Sequence, residues 1–238
     1  EFITTHADGP RITYDPVTLE CLGYLNEPQR TNLALYSQQL DNAAWTKRGT
    51  CAVVANDTTA PDGTLTADKL TFAGFSTGDI YQIGPTVTVS AAASPSFYIK
   101  KQTASGTFTV QTAAGPATGE WTVDLALIGS GWERLTSTHP AVTVVTPFVG
   151  TGTSSDGLNI FQAAGSTVVV WLWGVQIEQA STASSYIPTA GASATRAADD
   201  AQMTGAAFSS WFNSTQGCFV VEYSLAGTDV PGAVFAAN

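Results

Sequence analysis

The sequence predicts an all-β protein, a jelly-roll β-sandwich preceded by an N-terminal β-hairpin. Three observations carry the prediction. Apolar and polar residues alternate with period two in segment after segment, each closed by Gly, Pro, Asn, Asp or Ser. Helix signals are scarce: residues 37–45 offer a short turn at most. The chain of 238 residues is 44% hydrophobic, enough for a core, yet only 12% charged, about half of the usual roughly 25%. Its solubility therefore rests on Thr, Ser, Asn, Gln and Gly, as on a polar sheet face where hydroxyls replace charges.

In chain order, residues 1–34 read as an extended segment and a hairpin. Arg11-Ile12-Thr13-Tyr14 leads to a turn at Asp15-Pro16 and a return strand over residues 19–25. Residues 35–188 read as the sandwich. Its clearest strands fall at 65–73, 96–101, 107–112, 120–125 and 132–138. The strongest lies at 167–178, TVVVWLWGVQIE, apolar on both faces as far as Gln176, as in a central strand covered on both sides. Residues 189–200, rich in Ala, Gly, Ser and Thr, read as a linker. Residues 201–238 read as the opening strands of a further, truncated β domain, marked by Ala206-Phe208-Trp211-Phe212 and by 218–225.

Composition excludes several functions. Nine basic residues stand against nineteen acidic, a net charge of −10, whereas binding nucleic acid needs Lys and Arg to displace counterions from phosphates. Nucleic acid is excluded as the main partner, and an anionic membrane surface is disfavoured for the same reason. No apolar stretch approaches the ~18 residues of a membrane-spanning helix, and no signal peptide is expected. Cys21, Cys51 and Cys218 are odd in number and widely spaced, so they read as small buried hydrophobes, with a Cys21–Cys51 bridge left open.

Catalytic chemistry finds little support. Nucleophilic catalysis needs a base beside the nucleophile; His6 and His139 are the only histidines, and both read as surface or turn residues. Among carboxylates, Glu120, Asp124 and Glu133 fall on or near strands and could converge as a glycosidase pair would, an arrangement common by chance. Asp156, Asp199-Asp200 and Glu178 are the oxygen donors that a structural Ca²⁺ would use, but no D-x-D-x-D-G loop fixes them. Gly-rich phosphate loops are absent. The chain is expected to be non-catalytic and to carry no cofactor.

The six tryptophans are generous for this length. Flat aromatic faces pack against sugar C–H groups while Asn, Gln, Asp or Arg bond the hydroxyls. Trp45, Tyr81, Tyr98, Trp121 and Trp171 are the residues that could form such a platform. Trp132 and Trp173 stand in strand patterns that read as core, and most of the others could also be core.

Several segments together resemble a module of bacteriophage and prophage tail proteins. They are Pro10-Arg11-Ile12-Thr13-Tyr14-Asp15-Pro16-Val17-Thr18, Gly23-Tyr24-Leu25-Asn26-Glu27-Pro28-Gln29-Arg30-Thr31-Asn32-Leu33 and Asn42-Ala43-Ala44-Trp45-Thr46-Lys47. After them come Ala60-Pro61-Asp62-Gly63-Thr64-Leu65-Thr66-Ala67-Asp68-Lys69-Leu70 and Gly131-Trp132-Glu133-Arg134-Leu135. The last are Trp173-Gly174-Val175-Gln176-Ile177-Glu178, Ser185-Tyr186-Ile187-Pro188-Thr189 and Thr195-Arg196-Ala197-Ala198-Asp199. The resemblance runs in order over about residues 10–200. It departs at Glu133, where an aromatic residue is usual.

The resemblance implies a jelly-roll sandwich similar to carbohydrate-binding modules, placed in a tail fibre or tail spike, with a concanavalin-like lectin domain beginning near Phe208. It further implies a virion location, other tail proteins as partners, and a bacterial surface glycan or polysaccharide as ligand. Weak single sites are offset by copies, so a homo-oligomer, a trimer, is expected, with residues 10–30 and the tail after 200 as contact regions. The alternatives are a structural spacer or virion-decorating domain without ligand, and an accessory module of a glycan depolymerase.

Overall fold

The computed structural model describes residues 11–14, 20–72, 78–82, 93–103, 105–113, 119–146, 156–162, 167–200, 202 and 205–216. In chain order, the strands begin with β1 (Ile12–Tyr14), β2 (Cys21–Tyr24), β3 (Arg30–Asn32), β4 (Trp45–Arg48) and β5 (Cys51–Thr58). There follow β6 (Ala67–Phe72), β7 (Gly78–Gln82), β8 (Ser94–Lys101), β9 (Thr107–Ala113) and β10 (Gly119–Asp124). The last are β11 (Glu133–Leu135), β12 (Val142–Thr146), β13 (Asp156–Gln162), β14 (Val168–Glu178) and β15 (Ala194–Arg196). A 3-10 turn at Leu125–Leu127 and a one-turn helix, α1 (Gly205–Ser209), complete the elements described. The chain divides into two compact units, Arg30–Arg196 and a smaller one drawn from Ile3–Gln29 and Ala197–Asn238.

The larger unit is the expected sandwich. One sheet has six strands in the order β12-β10-β9-β13-β7-β4, the other five in the order β11-β8-β14-β6-β5, and every pairing is antiparallel. The chain crosses between sheets repeatedly, as a jelly roll does. Alternation along each strand fills the space between them. Phe97, Ile99, Val170 and Leu172 of one sheet share a core with Phe108, Val110, Trp121 and Val123 of the other. Trp45 closes the core near the β4 edge, donating its indole N–H to the Tyr36 carbonyl at 3.2 Å.

β14 supplies inward residues at Val168, Val170 and Leu172, then at Val175 and Ile177. The parity changes at Gly174, where the pairing with β8 gains one residue between Trp173 and Gln176. Gly174 sits at φ +63, in the left-handed region that glycine tolerates best. Trp173, next after inward Leu172, falls on the outer face, where it packs with Tyr98, Ala60 and Ala67 in a second cluster flanked by Trp132 and Tyr186; the bulge then returns Val175 to the core. The Asp62-Gly63 turn is as expected: the Asp62 carboxylate accepts from Thr64 N at 2.9 Å, and Gly63 has φ +83.

The motif residues around Glu178 are structural. The Glu178 carboxylate, fully buried, accepts from Gln176 Nε2 (2.7 Å), Ser184 N (2.8 Å) and Ser184 Oγ (2.6 Å). Gln176 Oε1 accepts from Ile187 N at 2.7 Å, and Asn32 Nδ2 donates to the Ile187 carbonyl at 2.8 Å. A buried polar group must be hydrogen-bonded, and this network ties residues 184–187 and β3 onto β14.

Several expectations are corrected. The stretch read as a linker at 189–200 contains β15, which pairs with β3; the pairing partner lies 164 positions away, beyond the reach of local composition. Arg30–Asn32, assigned to the N-terminal segment, thereby joins the sandwich unit. Residues 206–209, read as strand, form part of α1, a geometry that brings Phe208 within 4.4 Å of Phe212, ring centroid to centroid. Cys21 is exposed rather than buried, and Cys21 and Cys51 are both free thiols, so no bridge joins them. The Asp15-Pro16 turn, His6, Cys218 and the strands expected at 218–225 lie outside the described residues.

In the smaller unit, β1 and β2 form the expected hairpin. Arg11, only 6% exposed, forks onto Asp199: Nε donates to Oδ1 at 2.8 Å and Nη2 binds Oδ2. Its Nη1 donates to Glu27 Oε2 at 2.7 Å, while Glu27 N donates to Asp199 Oδ2 at 2.7 Å and Asp199 N to the Glu27 carbonyl at 2.9 Å. Such a bidentate pair is geometrically specific. It joins the first and last motifs of the tail-protein resemblance.

Asp68 anchors the turn at residues 37–45. Buried at 1% exposure, it accepts from Leu40 N (2.6 Å), Asp41 N (3.3 Å) and Asn56 N (2.9 Å). Burial outweighs these bonds and raises its carboxyl above the ordinary value. A raised acid binds protons more tightly folded than unfolded, so its contribution to stability falls as pH rises through the carboxylate range to the folded value. Asp68→Asn is expected to remove that dependence and to cost about 1–3 kcal/mol, because in either orientation the amide NH2 would face at least one N–H donor. Urea midpoints measured across that range check both statements.

Candidate functional site

The five aromatic residues proposed from the sequence do not form one platform. Trp45 and Trp121 are each 1% exposed and Tyr98 is 5% exposed, so these three are core side chains and not a ligand surface. Their strands alternate, and the parity of each places the ring inward or under the second cluster. Trp171 lies half-buried on the outer face of the five-stranded sheet. Tyr81 belongs to β7; its side chain is outside the described set.

Register nevertheless brings Tyr81 into a notable row. Backbone pairing runs Thr46, Tyr81, Asn159, Gln111, Glu120 and Thr146 across all six strands of the larger sheet. The parallel row two positions along reads Arg48, Asp79, Phe161, Thr109, Thr122 and Thr143. The intervening row holds Lys47, Ile80, Ile160, Val110, Trp121 and Val144, of which Ile160, Val110 and Trp121 are buried in the core and Val144, past a register shift, is exposed. Paired residues share a face and neighbours along a strand alternate, so Thr109, Gln111, Glu120 and Thr122, which alternate with the core residues Val110, Trp121 and Val123, occupy the face away from the core. In the two polar rows Thr46, Gln111, Glu120, Thr109 and Thr122 are half-buried and Thr143 is exposed. Five gaps of about 4.8 Å give a row of about 24 Å, the scale of an oligosaccharide rather than of one sugar.

On the other sheet, a register row runs Lys100, Trp171, Lys69 and Val54 across β8, β14, β6 and β5. Asn56, at φ +52, marks the irregularity in β5 beyond which Asp57 reaches across the sheet. Its carboxylate accepts from Trp171 Nε1 at 2.7 Å and from Lys69 Nζ at 2.9 Å. The Lys69 ammonium, and then the indole N–H, hold the Asp57 carboxyl below the ordinary carboxylate value. Lys100 Nζ stands 5.5 Å from the Trp171 ring centroid, within the range of a cation–π contact.

Of the carboxylates weighed for catalysis, Glu120 and Asp124 both belong to β10 of the six-stranded sheet, where Asp124 caps the 3-10 turn through Ala126 N at 2.9 Å, and Glu133 lies on the five-stranded sheet. Glu133 accepts from Gly129 N and pairs with His139 Nε2 at 2.9 Å. His139 Nδ1 accepts from Ala141 N at 3.1 Å, so Nε2 carries the proton and the ring holds a turn. Of the oxygen donors considered for calcium, Glu178 and Asp199 accept from protein donors. Among the described residues no group of three metal-ligating side chains occurs.

Sequence reasoning missed Thr46, Asn159 and Gln111, because polar residues at alternate strand positions look alike until register aligns them. It also missed Asp57, Lys69 and Lys100, which converge from three strands.

No family model and no curated protein matches the chain. Similar solved structures include a family 11 carbohydrate-binding module from Clostridium thermocellum in complex with a β-1,3-1,4-mixed-linked tetrasaccharide. It is 11% identical over 63% of this chain and 95% of that one, with a TM-score of 0.41. TmCBM61 in complex with β-1,4-galactotriose is 13% identical over 61% of this chain and 97% of that one, TM-score 0.41. The enzymatically active domain of bacteriophage CBA120 tailspike protein 4 is 15% identical over 61% of this chain and 21% of that one, TM-score 0.43. All three TM-scores fall below 0.5, so the function proposed below rests on the geometry of this chain.

Proposed function

We propose that the chain is a non-catalytic receptor-binding module of a phage tail fibre, recognising a bacterial surface glycan across the outer face of its six-stranded sheet. The observation that carries this reading is the double row spanning all six strands. It combines two aromatic positions, Tyr81 and Phe161, with the planar polar residues Asn159, Gln111, Glu120, Asp79 and Arg48. Sugar rings offer C–H faces to aromatics and hydroxyls to such groups, and a flat polar sheet suits an extended chain. The placement of Glu133 on the other sheet from Glu120 and Asp124, and the use of Asp124 as a cap, support a binding role over hydrolysis, which would need two carboxylates on one sugar. The tail-fibre context rests on the ordered motifs, whose first and last members meet in the Arg11–Asp199 fork.

A single site of this kind binds weakly, about millimolar or −4 kcal/mol, and multiple copies offset that weakness. The smaller unit supports a homo-oligomer, with a trimer as our proposal. Ile12 (36%), Tyr14 (46%), Leu22 (62%) and Tyr24 (37%) of the hairpin are exposed, as are Trp211 (58%) and Phe212 (49%).

The test is a glycan array with the multivalently presented protein and its Tyr81→Ala and Gln111→Ala variants. Binding to a defined glycan is expected, weakened at least tenfold, about 1.4 kcal/mol, in each folded variant. A structural spacer is the second reading, favoured by the burial of Trp45, Trp121 and Trp173; it requires no binding at any valency.

A further inference from the structure

We infer that the outer face of the five-stranded sheet carries a second sugar site, at Trp171, selective for an acidic sugar residue of the uronate class. The site is separate from the six-stranded face and does not depend on it.

The chain has nine basic residues and a net charge of −10. Two of the nine flank one indole in a single register row, Lys100 on one side of Trp171 and Lys69 on the other. With Asp57, the cluster holds two positive charges and one negative, so it is net positive by one on an acidic protein. The charges are also divided. Lys69 is matched to Asp57 at 2.9 Å, and Asp57 simultaneously fixes the indole edge at 2.7 Å. Lys100 is placed over the ring at 5.5 Å; a carboxylate arriving there would draw the flexible ammonium from the indole face onto itself and open that face to the sugar ring.

Trp171 is thus oriented by a bond at its nitrogen, and the row ends, beyond Lys69, in an exposed aliphatic, Val54 at 48%. A ligand that satisfies this arrangement has an apolar ring face for the indole and, beside it, a carboxylate for Lys100. A pyranose bearing a C-6 carboxylate has both. A neutral sugar would use the ring and leave the ammonium unmatched. A simple anion would be drawn only weakly, since single exposed charge pairs contribute little. Selectivity therefore comes from the combination.

The experiment measures binding of the whole chain to polygalacturonate and polymannuronate, and to fully methyl-esterified polygalacturonate, by affinity electrophoresis and calorimetry. Parent, Trp171→Ala, Lys100→Gln and Tyr81→Ala proteins are compared, each shown folded by its thermal transition. The expected result is binding to at least one uronate polymer, at least tenfold weaker binding to the methyl ester, and at least tenfold losses for Trp171→Ala and Lys100→Gln. Tyr81→Ala should bind the uronate as the parent does. Absence of binding to both acid polymers overturns the proposal, as does equal binding to the ester. Full binding by folded Lys100→Gln or Trp171→Ala overturns it too. If Tyr81→Ala alone abolishes uronate binding, the acid polymer uses the six-stranded face and the second site is again overturned.

Discussion

Replacing Trp121 by alanine is expected to cost about 3–5 kcal/mol of stability and to leave glycan recognition intact in the fraction that stays folded. The side chain is 1% exposed and lies in the layer between the two sheets, with Val123 on the same strand and Val110 and Phe108 on the neighbouring one. Truncation removes the transfer free energy of an indole and opens a cavity that two paired sheets cannot collapse around, because their hydrogen-bonded registers hold both walls. For a domain of this size the loss corresponds to a fall in Tm of about 6–20 °C. Chemical denaturation followed by fluorescence of the remaining tryptophans measures it. A loss below about 1 kcal/mol together with abolished glycan binding would put Trp121 on a ligand face, contrary to its burial. Tyr81→Ala is the counterpart, with affinity lost and little stability changed.

Gly174→Ala is expected to destabilise the sandwich by about 2–5 kcal/mol. One part is backbone: an L-residue with a Cβ in the left-handed region costs roughly 1–2 kcal/mol, and Gly174 has φ +63. The other part is crowding. A Cβ there would stand 3.2 Å from Tyr98 Cδ2 and 3.3 Å from Tyr186 Cε2, inside a cluster where Trp173 and Tyr186 have ring centroids 4.8 Å apart. Overpacking of that kind typically costs about 1–3 kcal/mol. Displacing Tyr186 would also strain its 2.6 Å hydrogen bond with Ser37 Oγ; the hydroxyl is buried, which pushes its pKa upward. Gly63→Ala separates the two parts, since Gly63 has φ +83 with open space around it and should show the backbone cost alone. Equal losses at the two positions would remove the crowding account.

Much of the fold was legible because alternation is a local property. The strands around Phe97, Val110, Val123 and Leu172 follow from apolar residues spaced two apart, and the Asp62-Gly63 turn follows from residues with one favoured geometry there. The low charge and acidic balance also belong to the sequence, and so does the expectation against nucleic acid, since formal charge is set by composition.

What the sequence could not decide is which side of a strand each residue occupies relative to another strand. Trp45, Trp121 and Trp171 are chemically alike, and each stands in a plausible strand. Only the stacking of two sheets buries the first two and leaves the third beside Asp57. The one-residue bulge at Gly174 reverses the parity of β14, and its position is written in pairing with β8 rather than in periodicity. β15 finds β3 across the length of the sandwich unit, so a stretch with a linker's composition becomes a strand. Composition and local pattern determined that this chain makes β-strands with a core, because those depend on neighbours in sequence. Tertiary structure alone decided which polar residues line up across six strands, because register is an agreement between segments that are distant along the chain.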